Sequence, residues 1–215
     1  MQLIIFKALL YISYFSIVVP FSFLLRRKHV LRSRQFQIVA VLLIVSVIAD
    51  VAGYILIRNE LSNLVINNLY FLISFVILSL LYARLLSGGR TAVYVVIVVS
   101  ICFFAWDSLT QQSISGVQSY IITLCSVLAL GYSLIYFDQL LHTSPASDLA
   151  KFPFFWINSA FMYYYGMNLF IFIFSTYIFE NLKDNEILVV WIFHNVNNTI
   201  KNILLATGIY NARKQ

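Results

Sequence analysis

FQIVAVLLIVSVIADVAGYILI, residues 36–57, holds a single charged side chain, Asp50. At a helical rise of about 1.5 Å per residue, a run of this length crosses a hydrocarbon core of roughly 30 Å. Helix is the required conformation, because an isolated strand in lipid leaves its backbone N–H and C=O groups unpaired. Working outward, six more apolar stretches have the same character: residues 3–25, 64–86, 92–109, 117–137, 154–179 and 187–210. The fold class this implies is all-α: a polytopic membrane protein with a seven-transmembrane-helix bundle, in one domain over residues 1–215.

The composition supports that reading. Apolar residues make up 61% of the chain and charged residues 10%, where a soluble domain carries about 25% charge. A water-soluble fold of this size cannot hide so much apolar surface. The 19 Phe and 14 Tyr suit a lipid-facing surface with amphipathic rings at its borders. Cys102 and Cys125 both fall in apolar spans with no metal-ligand spacing, so they read as buried, inert thiols. The start of the chain lacks the basic segment and small-residue cleavage site of a secretory signal, and reads as the first retained span.

Short polar segments separate the spans, and their charges set an orientation. Arg26, Arg27, Lys28, Arg32 and Arg34 occupy the first connection, Arg84 and Arg90 the third, Lys151 the fifth, and Arg213 and Lys214 the C-terminus. The alternate connections hold only Arg58 and Lys183 among several acids. Basic loops stay in the cytoplasm, so the expected topology has the N-terminus outside and the C-terminus cytoplasmic, in a bacterial inner membrane. The formal charge of +6 is accounted for by these clusters and does not point to nucleic acid. Pro20 should kink the first span, Pro145 belongs to the fifth connection, and Pro153 suits the first turn of the sixth helix.

Polar groups inside apolar spans are costly and need partners. The last span is the densest in them: His194, Asn197, Asn198, Lys201 and Asn202 recur at spacings of three and four, so they share a face that must point into the bundle. Asp50 lies about seven residues from the outer end of its span, as does His194. Asn67 and Asn68 enter the third span slightly nearer the surface, and Asp107 terminates the fourth at the water interface. Together these define a polar layer in the outer half of the bundle. The sixth span adds Asn158, Ser159 and Asn168 beside the run Tyr163-Tyr164-Tyr165, making a polar seam against an aromatic wall.

Each group has two readings. Asp50 is a contact to the third or seventh helix, or a proton- or cation-coordinating group. His194 is an interhelical hydrogen bond or a ligand group. Asn67 and Asn68 are helix glue or ligand contacts. Lys201 snorkels to the inner surface or pairs with a buried acid. A retinal Schiff base on Lys201 is disfavoured, since Asn197 and Asn198 stand one turn before it and Asp50 is expected about ten residues' rise away in depth. No zinc-binding helix motif, phosphate-binding glycine loop or serine nucleophile elbow occurs, and no cofactor or metal is expected. The glycosylation pattern Asn197-Asn198-Thr199 lies in a span and is discounted.

The stretches Pro153-Phe154-Phe155-Trp156-Ile157-Asn158-Ser159, Trp191-Ile192-Phe193-His194 and Lys201-Asn202-Ile203-Leu204 resemble those of uncharacterised seven-helix proteins of Bacteroidota-type bacteria, which look like the membrane sensor region found in, or encoded beside, some histidine kinases. The resemblance implies a sensor with no kinase domain of its own, signalling through a separate cytoplasmic kinase or other signalling protein. The leading expectation is therefore a membrane sensor binding a small amphipathic ligand, lipid or ion among its helices. A small-solute or proton-coupled transporter and an intramembrane lipid-modifying enzyme are the alternatives, with a non-enzyme favoured.

Overall fold

A computed structural model describes residues 2–143 and 146–212. Among the described residues the regular structure is helical. The order is α1 (Gln2–Ser16), α2 (Val18–Arg26), α3 (Arg34–Arg58), α4 (Leu64–Leu85), α5 (Arg90–Thr110), α6 (Ser119–Thr143), α7 (Pro153–Ile173), α8 (Ser175–Asn181) and α9 (Asp184–Asn211), with short 3₁₀ turns at Lys28–Arg32 and Ala146–Lys151. Pro145, Arg213 and Lys214 lie outside the described residues.

The chain is a multi-pass membrane bundle. Five stretches are long and apolar enough to cross a bilayer: Phe6–Arg26, which takes in α2, then α3, α4, α5 and α6. The bent pair α7 and α8 makes a sixth if taken as one span. α9 is not among them. Its 28 residues reach about 42 Å at helical rise, but its asparagines, His194 and Lys201 make it too polar to qualify on composition. Exposed Val41, Ile44, Ile48, Val51 and Ile55 run along α3 as a lipid-facing stripe.

Two expected helices are interrupted. The first span breaks at Ile17. Pro20 lacks the N–H that would bond to Ser16, and the Ser16 hydroxyl turns back to the Ser13 carbonyl at 2.6 Å. The expected continuous helix over 154–179 bends by 49° at Phe174, and α8 continues as a short separate segment. Pro153 opens α7 in its first turn, as expected.

The helices alternate in direction, so one end of the bundle gathers the basic connections. Arg27 donates to the Ala212 carbonyl at 3.0 Å and sits over the Tyr210 ring, tying the end of α2 to the end of α9. Phe36 and Phe154 pack at 4.9 Å between the starts of α3 and α7. Gln139 on α6 bonds Ser87 and the Leu85 carbonyl. This is called the basic end below, and the opposite one the far end.

Packing between helices is uneven. α7 lies against both α6 and α9, and α9 also packs on α1 and α2. Gly208 permits the closest approach: a Cβ there would stand 2.6 Å from Ile157 Cγ1 and 2.8 Å from the Pro153 carbonyl oxygen. By contrast, α3 packs extensively only on α4, with thin contact to α2 and the first 3₁₀ turn. A seam therefore runs between α3 and the α1–α9–α7 group, pinned at the basic end by Phe36 and Phe154, while α4 is joined to α7 by Phe71–Phe172 and Tyr82–Asn158.

Candidate functional site

Asp50 lies on α3 one helical turn beyond Ser46, on the same face. Ser46 bonds the Tyr70 hydroxyl of α4 at 2.9 Å, so this face of α3 turns inward, beside α4. Asp50 is half-buried and has no hydrogen bond or ion pair among the described residues. The acid–base contact found among the described residues is His142–Asp138 at 3.5 Å, exposed at the basic end. Asp50 is nonetheless within electrostatic range of Lys201, Tyr14, Tyr70 and Tyr164.

Lys201 enters the same space from α9. It is 7% exposed, and its ammonium rests 4.6 Å above the centre of the Tyr164 ring, a cation–π contact. The expected snorkelling to the inner surface does not occur. Helical side chains lean toward the N-terminus, which for α9 is the far end, so the lysine reaches toward Asp50. The two lie within electrostatic range of each other despite the depth separation expected between them.

His194 is boxed by Trp191, Tyr164 and Phe172, with ring centres at 5.3, 5.8 and 6.2 Å. Its Nδ1 is 3.1 Å from Asn168 Oδ1. The Asn168 amide nitrogen donates to the Tyr164 carbonyl at 2.7 Å, which leaves Oδ1 as acceptor and assigns the histidine proton to Nδ1. Asn197 donates to the same oxygen at 3.4 Å and accepts from Tyr163 at 3.0 Å. In the neutral tautomer, Nε2 is then an acceptor with no partner among the described residues.

No protein-family model, curated protein or solved structure matches the chain.

Of the residues singled out in the sequence, Asp50 and His194 each lie within electrostatic range of Lys201, and Asn168 and Asn197 hold the histidine. The others are placed elsewhere. Asn68 donates to the Ile114 and Gly116 carbonyls at 2.9 and 2.8 Å, fastening the α5–α6 connection to α4. Asn158 accepts from Tyr82 at 2.6 Å and donates to the Ser133 carbonyl at 3.1 Å, joining α4, α6 and α7. Asn198 donates to Ser13 at 2.8 Å and Asn202 to Ser16 at 2.7 Å, seaming α9 to α1. The polar face of α9 thus serves two neighbours. Asn67 is half-buried with no side-chain hydrogen bond among the described residues.

Two further expectations are corrected. Asp107 does not end its helix in water: it is fully buried, and neither carboxylate oxygen has a partner. Cys102 is exposed on the outside of α5, and only Cys125 is buried. Tyr14, Tyr70 and Tyr164 were missed as members of the site. Tyr70 stands one turn from Asn67, and Tyr164 lies within the tyrosine run, but neither spacing reveals which rings face Asp50.

Chemically, Asp50 offers a carboxylate from α3 and Lys201 an ammonium from α9, with the Tyr14, Tyr70 and Tyr164 phenols within electrostatic range of the carboxylate. Such a set recognises a small polar molecule by charge and fixes its orientation. No group of His, Cys, Asp and Glu among the described residues could hold a metal ion.

Proposed function

We propose that the protein is a seven-helix membrane sensor, N-terminus outside and basic end in the cytoplasm of a bacterial inner membrane. On this reading α9 is the seventh span, its polar face shielded by α7 and α1. A small molecule carrying both a cationic and an anionic group binds in the seam: its cation meets Asp50 and its anion meets Lys201. The observation that carries this reading is that these opposite charges, on α3 and α9, lie within electrostatic range of each other yet form no direct ion pair. An unpaired charge in an apolar bundle is costly, and a bridging ligand offsets that cost on both walls at once.

Signalling follows from the uneven packing. α3 is the loosely held element, and a ligand spanning Asp50 and Lys201 would draw it toward α9. Such a ligand shifts the equilibrium only by its differential affinity for the closed arrangement. Movement of α3 carries Arg34 and the 3₁₀ turn Lys28–Arg32 at its basic end, where a separate cytoplasmic partner could read it. The resemblance to histidine-kinase sensor regions favours a kinase as that partner.

The test is thermal stability of the purified chain against a panel of free amino acids and related zwitterions. A hit should raise the midpoint in the wild type and fail to do so in Asp50→Asn and in Lys201→Met. A shift that survives both substitutions would overturn the site. Transport is the second reading, favoured by the 49° break between α7 and α8, since interrupted helices line the binding sites of many carriers. Uptake of the hit compound into proteoliposomes, abolished by Asp50→Asn, would select it.

A further inference from the structure

A second groove lies at the basic end of the bundle, on the lipid-facing side of the α3–α4 pair. It has a volume of about 530 Å³. Its walls are largely apolar, with Ile38 and Val41 from α3 and Ile77 and Leu80 from α4, and Gln37 also lines it. Because the two helices run in opposite directions, the first residue of α3 and the penultimate residue of α4 stand at the same level. Those residues are Arg34 and Arg84, and both line the groove. Both are exposed, and neither has a hydrogen bond or acidic partner among the described residues. Within the groove-lining set there is no acid to neutralise them.

We propose that this groove binds an anionic phospholipid of the membrane leaflet at the basic end, its phosphate between Arg34 and Arg84 and an acyl chain along the Ile38–Val41–Ile77–Leu80 trough. The chemistry fits at both ends. Guanidinium groups bind phosphate oxygens in a bidentate geometry, and the start of α3 directs unpaired backbone N–H groups and the positive end of its dipole to the same place. Above the arginines, Ile38 and Val41 follow Arg34 by one and two turns, so the trough runs from the headgroup level into the hydrocarbon. A soluble anion would use the arginines and leave the trough empty. An acidic peptide would meet the arginines but could not enter the trough, which is bathed by hydrocarbon. The lipid alone satisfies both parts, and its binding would brace α3 against α4 at the base of the helix.

The experiment uses the full chain, delipidated in neutral detergent and offered phosphatidylglycerol or phosphatidylcholine, with retained lipid counted by native mass spectrometry. Phosphatidylglycerol should be retained at concentrations at least fivefold lower than phosphatidylcholine. Arg34→Gln with Arg84→Gln should remove that preference, while Arg58→Gln, at the other end of α3, should leave it intact. Leu80→Trp, which fills the trough and keeps both arginines, should also lower retention at least fivefold. It is the safeguard should the double arginine variant fail to fold. Unchanged retention in the double variant, an equal loss in Arg58→Gln, full retention in Leu80→Trp, or displacement of the lipid by inorganic phosphate or an acidic peptide alone would each overturn the proposal.

Discussion

Helix α9 and helix α3 both carry ionisable groups into an apolar bundle, yet they are held by different means. α9 is fastened to α7 by close backbone approach at Gly208 and by the Tyr163–Asn197–Asn168–His194 relay, and to α1 by the Asn198–Ser13 and Asn202–Ser16 bonds. α3 has one extensive neighbour, α4, and its Asp50 has no bonded partner. Asn197, Asn198 and the Asn202 amide nitrogen on the first helix are bonded to neighbouring helices, whereas Lys201 and His194 Nε2 on it, and Asp50 on the second, have no hydrogen-bond or ion-pair partner among the described residues. Polarity inside a membrane bundle serves as glue where it is hydrogen-bonded across helices, and a polar group left unbonded, as Asp50 is, is a candidate for a binding site.

Substitutions on the two sides should therefore differ in kind. The largest effect is expected at Gly208→Leu, where side-chain atoms would enter space already held by Ile157 and the Pro153 carbonyl. A loss of about 3 kcal/mol is expected, at the upper end for overpacking, read as a lowered unfolding midpoint in mixed detergent. Tyr82→Phe comes next. It removes the donor to Asn158 Oδ1 and the partner of Ser133, and a stranded buried acceptor costs about 2 kcal/mol. The α1–α9 seam is weaker: a double-mutant cycle of Ser13→Ala with Asn198→Ala should return a coupling of about 0.6 kcal/mol, the average for such bonds in membrane bundles. Asp50→Asn should be the smallest, within about 0.5 kcal/mol of wild type in the absence of ligand, because no bond is lost. A large destabilisation by Asp50→Asn would erase the contrast between the two helices, and a silent Gly208→Leu would do the same from the other side.

How far the sequence reached follows the same division. Apolar runs identify spans because lipid demands uninterrupted hydrophobicity, so α3, α4 and α5 lie close to the stretches expected for them. α6 extends six residues past its expected end at 137, to Thr143, because its last turns, with Asp138, Gln139 and His142, are polar and lie beyond the apolar core. The breaks at Ile17 and Phe174 were harder to read. Pro20 announces the first, but no proline or glycine stands at Phe174. The electrostatic reach between Asp50 and Lys201 was not legible from residue depth, which counts Cα positions, whereas a lysine side chain reaches back along its helix. Asn68, Asn158 and Asn198 share the residue type of Asn168 and Asn197, and only the facing helices decide which of them hold loops and which hold His194.

The central claim is that Asp50 borders an accessible seam and not a sealed interior. The direct measurement is labelling of Asp50→Cys in a Cys102→Ser, Cys125→Ala background, in proteoliposomes, with a charged, membrane-impermeant methanethiosulfonate reagent. Asn158→Cys, at a fully packed position, serves as the reference. The claim requires Asp50→Cys to react at least tenfold faster than Asn158→Cys, and to be protected by any zwitterion that stabilises the wild type. Equal, negligible labelling of both cysteines would mean that α3 is closed against the bundle and that Asp50 faces no binding site.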